Sequence, residues 1–140
     1  DWSSDVCSSD LATAAAVHAL AYPLGGHFHI PHGLSNSLVL PSVLRFNLAE
    51  AAPLYAELVE LVTGETVSGS DEARADVLVT AIETLIRDLG LPPTLSEASV
   101  PESALEQLAE DAMLQQRLLV NNPRDVLYDD ALAIYRAAFR

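Results

Sequence analysis

Apolar positions recur at helical spacing along almost the whole chain, and nowhere do they alternate strictly with polar ones over five or more residues. Ala12 to Ala21, rich in Ala and Leu, predicts a first helix that Pro23 and Gly25-Gly26 should stop. Pro31 suits the first turn of a second helix, expected over about 31–46, where its missing N–H is no loss. Leu34, Leu38, Val39, Leu40, Val43, Leu44 and Phe46 wrap most of that helix, which predicts burial, and Pro41 should bend it. A further helix over about 50–62 places Leu54, Leu58, Leu61 and Val62 on one stripe and ends before Gly64. Residues 65–69 read as a loop.

Ser70 can cap the next helix, with Asp71 and Glu72 at its positive end and Leu78, Ile82, Leu85, Ile86 and Leu89 at helical spacing. Gly90 and Pro92-Pro93 close it. Ser99 and Glu102 suggest a capping box around Pro101, followed by Leu105, Leu108, Ala109, Ala112 and Met113 on one face. The chain then turns at Asn121-Asn122-Pro123-Arg124, and a last helix carries Leu132, Tyr135 and Phe139 inward. The expected fold class is all-α.

Composition narrows the possibilities further. The 140 residues carry a net charge of −13, which disfavours phosphate backbones and anionic membranes as partners. Apolar runs are broken by Pro23, Gly25, Gly26, Pro31 and Pro41 before reaching the roughly 20 residues a bilayer span needs. The first eleven residues repeat Ser-Ser-Asp around Val6-Cys7 and resemble the conceptual translation of an adapter oligonucleotide. Residues 1–11 are therefore set aside as a non-native scar, and 12–140 are taken as one helical domain. Setting them aside removes the only Cys, so no disulfide framework exists and a reducing cytoplasm is the expected location. Glu57, Glu60, Glu83, Glu106, Glu110 and Asp111 fall opposite the apolar stripes and read as solvated surface.

All four histidines lie between His18 and His32. Neutral imidazole binds divalent iron, zinc and similar ions, and one helix end followed by another helix start can bring two rings to a common ion. His18 also sits near the negative end of its predicted helix, which favours a nearby cation. Two ligands rarely suffice, because a catalytic centre takes three or more protein ligands plus an open position.

Tyr22-Pro23-Leu24-Gly25-Gly26, Pro31-His32-Gly33, Asn36, Leu40-Pro41 and Phe46-Asn47 together resemble the metal-binding signature of iron-containing (group III) alcohol dehydrogenases. The Asn121-Asn122-Pro123-Arg124 turn is similar to that family's C-terminal region. The resemblance implies the helical C-terminal domain of a dehydroquinate synthase-like protein. His18 and His32 would be two of four ligands to a divalent metal, Fe2+ by family name with Zn2+ also possible. It further implies an upstream Asp and His as the other ligands, and an N-terminal α/β domain that binds NAD or NADP. Neither is found before His18, so the chain is expected to be a fragment, silent by itself. Its parent would interconvert small alcohols and aldehydes or ketones, with a homo-oligomer open. A maleylacetate-reductase-like enzyme of the same superfamily is the sister possibility, and a non-enzymatic helical interaction module the alternative from another class.

The family commonly places a second His four residues after the first, near the substrate oxygen. Here that residue is Tyr22, a phenol that donates a hydrogen bond but is a poor proton relay, so a pocket wall is the expected role. His27 and His29 flank Phe28 and, in an extended loop, would point the same way into a substrate cleft, with His27 a pocket candidate. Gly25, Gly26 and Gly33 read as sites of positive φ or of close approach to a ligand. Asn36 could hydrogen-bond a ligand histidine.

Overall fold

The computed structural model describes residues 2–140, with side chains from Thr13 onward. The assignment of residues 1–11 as a scar concerns side chains outside those described. Six α-helices follow in order, α1 Trp2–Phe28, α2 His32–Thr63, α3 Asp71–Asp88, α4 Leu105–Met113, α5 Gln116–Leu119 and α6 Tyr128–Phe139, with a 3₁₀ turn at Glu102–Ala104. No strand occurs among the described residues.

Two apolar clusters organise these helices. The larger gathers Leu20 and Leu24 of α1, Leu38, Val39 and Val43 of α2, Leu108 and Ala112 of α4, and Ile134 and Tyr135 of α6. The smaller joins the second half of α2, through Ala52, Tyr55 and Val59, to Ala75, Leu78 and Val79 of α3. Truncating any of the fully buried leucines should cost on the order of 2–5 kcal/mol, since loss of transfer free energy adds to the cavity left behind.

Packing overrides several local stop signals. Pro23 and the glycines after it do not end α1, which continues to Phe28, because Leu20 and Leu24 are fully buried on either side of the proline and hold the turn in place. Gly25, Gly26 and Gly33 consequently have helical backbones, and the positive-φ glycines are Gly64, Gly69 and Gly90. The left-handed residue that closes α1 is His29, at φ 55°, whose N–H donates to the Gly25 carbonyl at 3.1 Å.

Helix α2 likewise runs unbroken across the gap expected between its two halves, and Pro31 stands just before its first residue. Asn47, inside that gap, spends its amide on Asn122 and so does not compete for its own backbone. The lower stripe is rotated from expectation. Ala51, Ala52, Tyr55, Ala56 and Val59 face the core, while Leu61 is 82% exposed and Val62 lies at the surface. On α3, Leu78 is buried in the small two-helix cluster and Ile86 is buried apart from it, whereas Leu85 and, just past the helix end, Leu89 are exposed, so the cluster accepts only part of the apolar repeat.

Ser70 caps α3 as expected, its Oγ accepting from the Ala73 N–H at 3.2 Å. Ser99 does not cap anything. It adopts φ 68° within a turn, Pro101 precedes the 3₁₀ turn, and α4 starts from that turn's geometry instead of from a capping box. The 91–100 connection closes the far end of the chain, because the Leu95 and Ser96 N–H groups donate to the carbonyls of Ala138 and Phe139 and so satisfy the C-terminus of α6.

The C-terminal turn is locked onto the middle of α2. Asn47 and Asn122, both buried, exchange amide hydrogen bonds of 2.9 and 2.7 Å, and the Arg124 guanidinium lies 4.2 Å over the Phe46 ring while donating to the Phe46 carbonyl. Two motifs 75 positions apart in sequence are therefore one structural unit. No helix among the described residues is long and apolar enough to cross a membrane.

Candidate metal centre

The connection from His29 to Pro31 turns the chain back so that the first residue of α2 lies against α1. His18, on the exposed side of α1, and His32, at the start of α2, meet there. Their rings are nearly parallel, 6° apart in plane, with centroids 5.1 Å from each other. Both residues are exposed. One turn beyond His32, the Asn36 Nδ2 lies 3.3 Å from His32 Nε2, and the Asn36 Oδ1 is enclosed without a hydrogen-bond partner.

Tyr22, one turn after His18, is 69% exposed. With Ala21, Gly25, Gly26, Ile30, Ser35 and His32 itself it lines a cavity of about 240 Å³. The Ser35 Oγ already donates to the Ile30 carbonyl at 3.2 Å, so Ser35 contributes shape more than a free donor.

The remaining two histidines part company. His27 belongs to the last turn of α1, not to a loop, and its Nε2–H donates to Asp111 Oδ2 on α4. His29, in the left-handed region, leaves the helix, so the shared direction expected of the two rings is lost. Asp111 is not free surface: its side chain is only 26% exposed, because α4 packs against the end of α1. The hydrogen bond from His27 holds the Asp111 carboxyl below the usual carboxylate range, against the opposing effect of burial, and a second bond from Gln107 acts in the same direction. Sequence reasoning misses this pair because its members lie 84 positions apart. Glu83, also expected at the surface, is half-buried and bridges to Arg45 at 3.1 Å.

As a donor set, two exposed imidazoles suit a borderline divalent ion such as iron or zinc. They do not complete a site: among the described residues no group of three or more His, Cys, Asp or Glu side chains converges. The residues present fit a metal only if further ligands come from elsewhere.

The model of the Fe-containing alcohol dehydrogenase family, C-terminal part, matches residues 9–139, and the chain belongs to this family. The chain is 42% identical over 128 residues to long-chain-alcohol dehydrogenase 1 of Geobacillus thermodenitrificans, covering 91% of this chain and 32% of that protein. It is 33% identical over 123 residues to the NAD-dependent methanol dehydrogenase of Bacillus methanolicus, covering 87% and 32% respectively. The crystal structure of a 1,3-propanediol oxidoreductase superposes with a TM-score of 0.82 at 37% identity, covering 89% of this chain and 32% of that one. The chain thus spans about a third of the length of the relatives it matches.

Proposed function

We propose that this chain is the metal-binding helical part of an NAD(P)-linked oxidoreductase that interconverts small alcohols with aldehydes or ketones. The observation that carries the reading is the proximity of His18 and His32, set on different helices yet 5.1 Å apart between ring centroids; the rings as placed are stacked, and rotation about their side-chain bonds would aim one nitrogen of each at a common ion. These two imidazoles would hold a divalent ion, Fe2+ by family and Zn2+ as an alternative, with the remaining ligands and the nucleotide-binding α/β domain supplied by upstream sequence of the same protein. When bound, such an ion polarises a substrate oxygen as a Lewis acid.

The chain's own residues do the rest of what this side of the centre requires. Asn36, beside His32 Nε2, would support a ligand role with its amide turned over, so that the enclosed Oδ1, which has no partner, accepts from the ring N–H and leaves the other ring nitrogen for the ion. Tyr22 walls the cavity next to His32 and offers a phenolic hydrogen-bond donor to whatever lies there. The cavity's other lining is mostly apolar or backbone, which favours an uncharged substrate over an anionic one. Nicotinamide as hydride carrier is supported by the methanol dehydrogenase relative, which is described as NAD-dependent. A cytoplasmic, homo-oligomeric enzyme is the accompanying expectation. Membership of an enzyme family, by a match over residues 9–139, favours this reading over a free-standing interaction module; residues 12–140 are proposed as the native domain.

The decisive experiment is His32→Ala in the full-length protein. Bound metal and alcohol-dependent nicotinamide reduction should both disappear; a variant with undiminished metal content and activity overturns the proposal.

A further inference from the structure

The last turn of α1 is a weak place for a helix. Pro23 removes a donor, Gly25 and Gly26 are poor helix formers, and the helix is stopped two residues after His27 by a non-glycine residue at φ 55°. Yet this turn and the connection behind it decide where His32 arrives. Besides the apolar packing of Leu24 and Phe28, a polar hold on it is His27, whose ring N–H donates to Asp111 on α4 while Gln107 Nε2 donates to the other oxygen of the same carboxylate at 3.0 Å. Gln107 and Asp111 lie one turn apart on α4, so the acceptor is itself oriented before His27 reaches it.

We propose that His27 and Asp111 are positioning residues for the His18–His32 pair: they clamp the end of α1 to α4 and thereby fix the His29–Pro31 connection that delivers His32 to His18. This inference rests on the metal-site reading above. A clamp of this kind touches neither ion nor substrate; it acts by limiting how far the second imidazole can drift, and misplacement of a ligand by a fraction of an ångström is enough to weaken a site.

The test uses the full-length metal-loaded protein and follows the metal retained against a fixed concentration of chelator, together with the visible spectrum of the Co2+-substituted form. His27→Ala and Asp111→Ala should each weaken retention by about 10-fold, the scale seen when residues supporting metal ligands are lost. The double variant should be no worse than the poorer single one, because one removed partner already breaks the clamp. His27→Gln, which keeps an N–H donor, should recover most of the retention and the cobalt spectrum, which general destabilisation of the fold would not allow. Wild-type retention in His27→Ala, or additive losses in the double variant, overturns the clamp. His18→Ala and His32→Ala run alongside: if they release metal and His27→Ala does not, the clamp alone fails, and if they too retain it, the metal-site reading fails and takes the clamp with it.

Discussion

The imidazoles of His18 and His32 face each other in parallel planes 6° apart, although one belongs to α1 and the other opens α2. Neither helix alone can make this arrangement. It depends on Pro31, whose extended backbone at φ −54° and ψ 146° launches α2, and on Tyr135, Tyr55 and Asp111, which fix α1 from three directions through Leu20, Thr13 and His27. The placement of this histidine pair is therefore a property of how α1 is held, and its supports can be tested one by one.

Tyr135 is fully buried and donates from its hydroxyl to the Leu20 carbonyl at 2.6 Å, two residues after His18. Burial pushes its ionisation far above the ordinary phenol range, so the donor stays protonated. Tyr135→Phe keeps the ring and removes the hydrogen bond, and should cost about 1–2 kcal/mol in urea unfolding of the chain. An unchanged midpoint would mean that the bond contributes nothing to holding α1.

The Asn47–Asn122 pair makes a second case. Replacing either residue by Ala strands a buried amide and should cost about 1–3 kcal/mol, while the double variant should cost less than the two single losses added together. Denaturant titrations of the four proteins give the coupling directly; simple additivity would show that the two amides are independently satisfied.

Acid should loosen the end of α1. Because Asp111 is held below its ordinary range in the folded state, its hydrogen bond contributes stability that is present above the unfolded carboxylate range and is lost as pH falls through the lowered value. Asp111→Asn removes that dependence, so the variant's unfolding midpoint should change less than wild type between neutral pH and about pH 3, below the ordinary carboxylate range. Parallel curves for the two proteins would contradict it.

Gly26 has helical backbone, and a methyl group added there meets nothing within 4 Å. Gly26→Ala should then stabilise the isolated chain by about 0.5–1 kcal/mol, since Gly is costly in a helix interior. A loss of stability measured by thermal unfolding would show that the backbone there is not helical in solution.

Much of this protein is legible in the amino-acid order alone. The all-helical class, the Ser70 cap, the buried stripes of α4 and α6 and the family signature from His18 to Asn47 are local features, set by side chains a few residues apart. Other features depend on tertiary structure. Pro23 and the double glycine signal a stop locally, yet burial of Leu20 and Leu24 outweighs them. The gap expected between about residues 46 and 50 does not open, and within it a partner from the far end of the chain occupies the Asn47 amide. His27 reads as a loop residue and Asp111 as open surface, because nothing in their own neighbourhoods announces that they meet. Spacing along the chain determines which residues share a helix face; only the packing of one helix on another, where burial outweighs local preference, decides which faces come together.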